Sequence, residues 1–253
     1  MVGSPGRDTL KRCLALVRDQ HDVHACIANG ENVAGGFGLT AQTADELFET
    51  GVDFITSGNH IYDKRDFKTY LESSDRVLRP ANYPPGLPGR GFGTFLADGT
   101  TVGVLNVMGR TFMPTVDDPF RCADAAVEDL RAMTPIVIVD VHAEATSEKV
   151  ALGRFLDGRV SAIFGTHTHV QTADEQILPG GTAYITDVGM TGPTDGVIGM
   201  EQGPVLERFL TGMSDRFSVQ KSGMKQFCAA VVRIDRESGV ALEIKRIFLR
   251  GIA

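Results

Sequence analysis

The sequence predicts an α/β fold with antiparallel parts, on three observations. Helical and extended patterns alternate along the chain without a repeat or a linker. Two continuous apolar runs read as strands buried on both faces, and two hairpin signals flank them. Leu10, Leu14 and Val17 fall at i, i+4 and i+7 and predict an opening amphipathic helix. Val23, Ala25 and Ile27 alternate as a strand that runs into the turn Asn29-Gly30-Glu31-Asn32. A helix follows from Ala41 to Thr50, with Thr40 as N-cap and Gly51 just past its end. Asp53 to Thr56 is a short apolar strand that breaks into Ser57-Gly58-Asn59-His60.

Phe92 to Val107 predicts a hairpin turning at Asp98-Gly99. A helix near Cys122 to Met133 leads into the apolar run from Pro135 to His142. A helix over Glu148 to Leu156 leads into a second buried strand from Val160 to Phe164. Phe227 to Ile234 and Ala241 to Phe248 predict a closing hairpin around Glu237-Ser238-Gly239.

At 253 residues the chain is expected to form one domain spanning residues 1–253. No apolar run approaches the roughly eighteen residues needed to cross a bilayer. The opening MVGSPGRDTLKRC lacks the apolar stretch of a signal peptide, so a cytoplasmic protein is expected. Cys13, Cys26, Cys122 and Cys228 are scattered, which predicts reduced thiols rather than disulfides or metal ligands. A net charge of −7 argues against an extended nucleic-acid surface or an anionic membrane. It leaves room for a small phosphorylated substrate, because bound cations reverse the local field of an acidic protein. Self-association is left open.

The polar groups gather at predicted strand ends, where open α/β sheets build their sites. These are Glu31-Asn32, Asn59-His60, His142 and the segment Gly165-Thr-His167-Thr-His169. A single histidine there is more often a hydrogen-bonded surface residue. Four such groups in one chain point instead to a site of imidazole, carboxylate and amide oxygen, a donor set suited to Zn, Mn or Fe. His167 and His169 are two apart and leave an extended segment on the same face. The pair can hold two neighbouring ions or grip one, and a carboxylate such as Glu31 would offset the repulsion between two cations.

Together with Val2-Gly-Ser-Pro-Gly-Arg-Asp8, Arg79-Pro-Ala-Asn82, Gly109-Arg-Thr-Phe112, Asp118-Pro-Phe120, His142-Ala-Glu-Ala-Thr-Ser-Glu-Lys149 and Thr186-Asp-Val-Gly-Met-Thr-Gly-Pro193, these motifs resemble the YmdB-type branch of the bacterial calcineurin-like metallophosphoesterases over essentially the whole chain. The resemblance implies a two-sheet sandwich flanked by helices, a four-layer α/β/β/α arrangement. It also implies two transition-metal ions, iron or manganese with zinc as the alternative. Glu31 would bridge them, Asn32 and His169 would serve the first, and Asn59, His142 and His167 the second. His60 would be the general acid. The implied activity is phosphodiester hydrolysis by metal-bound hydroxide, with 2′,3′-cyclic nucleotides such as 2′,3′-cAMP as substrates.

The departure from the family is at the amino terminus, where relatives carry a short apolar strand ending in Gly-Asp whose aspartate ligates the first metal. Here Met1 stands just after that position, so the first strand is expected to be absent, with ladder groups on a neighbouring strand unpaired and the first metal held weakly. A misplaced start is the favoured explanation over a true truncation, since every other site position matches. Two other functions compete. One is a metal-dependent amidohydrolase, disfavoured because its His-x-His opens a barrel rather than lying past the midpoint. The other is a catalytically weakened regulatory protein that binds a nucleotide or an RNA-turnover partner.

Five further residues carry open roles. Glu144 either orients a ligand histidine or is solvated, and Asp187 is ambiguous in the same way. Thr166 and Thr168 are expected to pack, and Arg110 to form a structural ion pair.

Overall fold

The computed structural model describes residues 1–213 and 216–252; residues 214, 215 and 253 lie outside the described residues. In chain order the elements are α1 (Gly3–His21), β1 (Ile27–Asn29), α2 (Ala41–Thr50), β2 (Phe54–Thr56), α3 (Phe67–Ser73), β3 (Phe92–Ala97), β4 (Thr100–Met108) and α4 (Pro119–Arg131). Then come β5 (Val137–His142), α5 (Thr146–Leu156), β6 (Ala162–Thr166), β7 (Gln176–Ile177), β8 (Ala183–Ile185), β9 (Gly192–Pro193), α6 (Gln202–Thr211), β10 (Lys225–Ile234) and β11 (Ala241–Ile252).

Local chemistry explains several boundaries. Thr40 and Thr43 exchange side-chain and backbone hydrogen bonds in a capping box that starts α2, and Gly51, at φ 108°, ends it. Asp118 accepts from the backbone N–H groups of Phe120 and Arg121, with Pro119 in the first turn, so α4 opens earlier than the apolar periodicity predicted. The β3–β4 hairpin turns through Asp98 (φ 47°) and Gly99 (φ 73°), the left-handed pair that a tight hairpin needs. The strand predicted over Val23–Ile27 begins only at Ile27. Asp22 caps α1 in the left-handed region and the Val23 N–H is committed to the Arg18 carbonyl, so the segment stays tied to the helix end.

The larger sheet has the order β3-β4-β5-β6-β8-β7, with β4, β5, β6 and β8 parallel. Its outer face packs on α4 and α5 through Val127, Leu130, Leu152 and Leu156. Its inner face meets Ile27, Val232 and Ile244 of a second layer, so two sheets stack. That second layer is covered in turn by Leu10, Leu14 and Leu47 of α1 and α2. The four-layer α/β/β/α order is therefore present.

The second layer is in two pieces, a parallel β1–β2 pair and a β11-β10-β9 sheet. Among the described residues, β10 from Phe227 onward has a ladder partner only in β11, and β1 has one only in β2. Between them lies a cavity of about 620 Å³, lined by Leu14, Ala28, Ile138, Phe164, Ala229 and Val231. Glu31, Asp140 and His167 also line this slot. No described helix is long and apolar enough to cross a membrane.

Candidate metal centre

Four strand ends converge. β1 leads to Glu31 and Asn32, β2 to Asn59 and His60, β5 ends on His142, and β6 leads to His167 and His169. Around the Nε2 of fully buried His142, three atoms from three segments stand at 3.0 Å: Glu31 Oε1, Asn59 Oδ1 and His167 Nδ1. Donor atoms of Glu31, His142 and His167 all lie within 4.8 Å of one another.

Neighbouring hydrogen bonds fix which lone pairs face this spot. Thr166 donates its hydroxyl proton to Asp140 Oδ1 at 2.7 Å, so its oxygen accepts from the Nδ1 of His142 at 2.9 Å. His142 therefore presents Nε2 inward. The Nε2 of His167 lies 3.1 Å from Glu144 Oε2, an acceptor, which leaves its Nδ1 lone pair pointing at His142. At most one proton can sit on His142 Nε2, and it can serve only one of three acceptors. A cation serves all of them at once, so the residues present fit a metal.

Charge follows the same pattern. Burial alone would raise the Glu31 carboxyl, but His142 beside it overrides that and holds the group at about 2. Burial lowers the pKa of His142, yet Glu31 and Asp140 outweigh it and the net shift is upward. Burial, then the charge of His142, pushes His167 down to about 4, leaving a neutral imidazole at pH 7.

The remaining predicted residues lie around this core. His60 donates its backbone N–H to Glu31 Oε2 at 3.2 Å, while its Nδ1 pairs with Asp63 Oδ2 at 2.8 Å. Nε2 is then the nitrogen free to exchange a proton. Asn32 commits its amide nitrogen to the Gly36 carbonyl at 2.8 Å, so its oxygen is the atom it can offer. His169 falls outside the Glu31–His142–His167 group and donates Nδ1–H to the Ile198 carbonyl at 2.9 Å, which turns Nε2 into its available donor.

Backbone form is part of the site. A Cβ on Gly58 would overlap both His142 Nε2 and Glu31 Oε2, so only glycine lets these groups meet. His167 and His169 sit at φ 97° and 66°. Such left-handed backbone costs non-glycine residues of order 1–3 kcal/mol each and persists only when surrounding contacts enforce it.

Sequence patterns do not single out Asp140 or Asp63, and they class Thr166 with packing; the structure makes Thr166 the link between Asp140 and His142. A hydroxyl just before the His-x-His pair was the available signal. Arg110 pairs with Asp118 at 3.2 Å, as expected.

A family model described as "YmdB-like protein" matches residues 1–247. A Bacillus subtilis (strain 168) protein named 2′,3′-cyclic-nucleotide 2′-phosphodiesterase is 47% identical over 249 residues, which cover 98% of this chain and 94% of the relative. A hypothetical protein from Thermus thermophilus superposes with a TM-score of 0.92 at 43% identity, covering 99% of this chain and 96% of that one. A structure described as a novel phosphatase from Mycoplasma pneumoniae superposes with a TM-score of 0.91 at 33% identity, covering 98% and 90%.

Proposed function

The chain belongs to the YmdB-like protein family, and on that premise we propose that it hydrolyses 2′,3′-cyclic nucleotides at a centre of two divalent cations, with residues 1–253 acting as one metallophosphoesterase domain. It is a phosphoric diester hydrolase in its reaction class. The observation that carries the reading is the convergence of three lone-pair donors on His142 Nε2, each at 3.0 Å.

In this reading Glu31 would serve both ions, His142, His167 and Asn59 would hold one of them, and Asn32 and His169 the other. Iron or manganese suits this nitrogen and oxygen donor set, with zinc as the alternative. Bound cations supply charge neutralisation at the phosphoryl oxygens and lower the pKa of water. The two positions are unequal. Besides the shared Glu31, the clustered His142 and His167 would serve one, whereas His169 stands apart from that cluster, so the ion beside His169 and Asn32 would be held less firmly.

The chain's own residues handle orientation and the proton. Asp63 holds His60 through Nδ1, so Nε2 is the atom that delivers a proton to the departing oxygen. Water oxygen joins phosphorus, the bond to the 2′ oxygen breaks, and that oxygen takes the proton, leaving a nucleoside 3′-monophosphate. The regiochemistry is supported by the name of the Bacillus subtilis relative. A cytoplasmic location fits the four unpaired cysteines.

The test is hydrolysis of 2′,3′-cAMP and bis-p-nitrophenyl phosphate with added Mn²⁺, by the wild type and by His60→Ala. Turnover of both by the wild type, with a loss of roughly a hundredfold or more in the variant, supports the reading. No turnover of either substrate contradicts it.

A further inference from the structure

Asp187 lies just past β8 and Lys149 in α5, and their side chains form an ion pair at 2.8 Å with each only 1% exposed. Buried pairs rarely repay their desolvation, so one that persists calls for a reason. Here the carboxylate is fully engaged. Its Oδ2 accepts from Lys149 Nζ at 2.8 Å, from the Thr168 N–H at 3.1 Å and from the Thr168 hydroxyl at 2.8 Å, while Oδ1 accepts from the Gly189 N–H at 2.8 Å.

Thr168 is the residue between the two histidines, and both of those histidines have left-handed backbone. Among the described residues, both hydrogen bonds that Thr168 donates go to Asp187, which thus holds the middle of the turn. Two further ties keep Asp187 in place. Its N–H donates to Thr172 Oγ1 at 2.9 Å, and the Thr172 N–H donates to its carbonyl at 3.1 Å. The next residue, Val188, donates its N–H to the Gly165 carbonyl at 2.9 Å, closing the loop on β6 from which the turn springs.

We propose that Lys149 and Asp187 are positioning residues for the metal centre: through Thr168 they set the His167–His169 turn so that its two imidazoles serve separate ions. The inference rests on the two-ion reading given above. It differs from a packing role in one respect. A pair that only filled the core would affect stability, whereas a positioning pair acts on ion affinity and on the chemical step.

Three variants separate the two. Thr168→Val removes the hydroxyl bond and leaves the buried charges paired. Thr168→Ser restores that bond. Lys149→Met with Asp187→Leu removes both charges together, so no buried ion is orphaned. Mn²⁺ binding to the metal-free protein is measured by electron paramagnetic resonance, beside the thermal midpoint in chelator and the kcat and KM for bis-p-nitrophenyl phosphate. Thr168→Val and the double variant are expected to keep a cooperative thermal transition, to bind Mn²⁺ about ten- to a hundredfold more weakly, and to lose activity in kcat rather than KM. Thr168→Ser is expected to match the wild type.

Wild-type Mn²⁺ affinity and kcat in both Thr168→Val and the double variant would overturn the proposal. A wild type that binds Mn²⁺ but hydrolyses no diester would defeat the functional reading while leaving the positioning role to be decided by affinity. A wild type that binds no Mn²⁺ would overturn both.

Discussion

Thr166 Oγ1 lies 2.9 Å from the Nδ1 of His142, and because it gives its own proton to Asp140 it decides which imidazole nitrogen faces the metal centre. Thr166→Val removes that acceptor while keeping the shape of the side chain. Mn²⁺ affinity is expected to fall about ten- to a hundredfold, the range for losing an outer partner of a ligand histidine. Calorimetric titration of the metal-free protein measures it, and Thr166→Ser is expected to restore the wild-type value.

Gly58 is the second test of the site's geometry. Its missing Cβ is the space in which Glu31 Oε2 and His142 Nε2 approach. Gly58→Ala is expected to abolish Mn²⁺ binding at the Glu31–His142–His167 group while leaving the circular dichroism spectrum unchanged. Wild-type binding in that variant would mean that these side chains meet elsewhere.

Ion binding is expected to depend on pH through His142. In the metal-free protein its pKa is raised by Glu31 and Asp140 against the effect of burial, so below that raised value a proton competes for the nitrogen that a cation needs. Apparent Mn²⁺ affinity should therefore hold at alkaline pH and fall by about tenfold per pH unit below that raised value, starting above the ordinary imidazole range near 6.5. His167, at about 4, joins only in stronger acid. The stability of the metal-free protein runs the other way. A raised histidine pKa contributes stability below its unfolded value, and that contribution is lost as pH rises through the folded value. Thermal midpoints in chelator from pH 5 to 9 test this sign.

Asp63 holds His60 through Nδ1 at 2.8 Å, on a surface loop where the contact does little for stability. Asp63→Asn is expected to lower kcat by about tenfold or more with KM for bis-p-nitrophenyl phosphate little changed. An equal loss in kcat and gain in KM would place Asp63 in substrate binding instead.

The residues that the proposed reading assigns to the metal centre were the most legible part of the sequence. His167 and His169 announce themselves by spacing, and Glu31, Asn59 and His142 by standing where apolar strands end. Their partners were not legible, because the contacts join segments far apart in the chain. Asp140 accepts from Thr56 at 2.5 Å and from Asn29 at 3.1 Å, and neither pairing leaves a local pattern. Asp140 also sits inside the apolar run 135–142, where a lone acid reads as an interruption. In the fold, the β3–β4 hairpin was readable from Asp98-Gly99, and α4 was readable from its apolar periodicity but not its start at the Asp118 cap. α3 and α6 were not, since α3 is only seven residues long and α6 leaves Phe209 and Leu210 exposed. The open slot between β1 and β10 follows from pairing across distant strands, which periodicity alone does not report.

The most direct test of the central claim is anomalous diffraction from crystals soaked in Mn²⁺. Two peaks about 3.5–4 Å apart astride the Glu31 carboxylate are predicted, the stronger among His142, His167 and Asn59 and the weaker beside His169 and Asn32. Peaks away from Glu31, or none at this cluster under saturating Mn²⁺, would contradict the account.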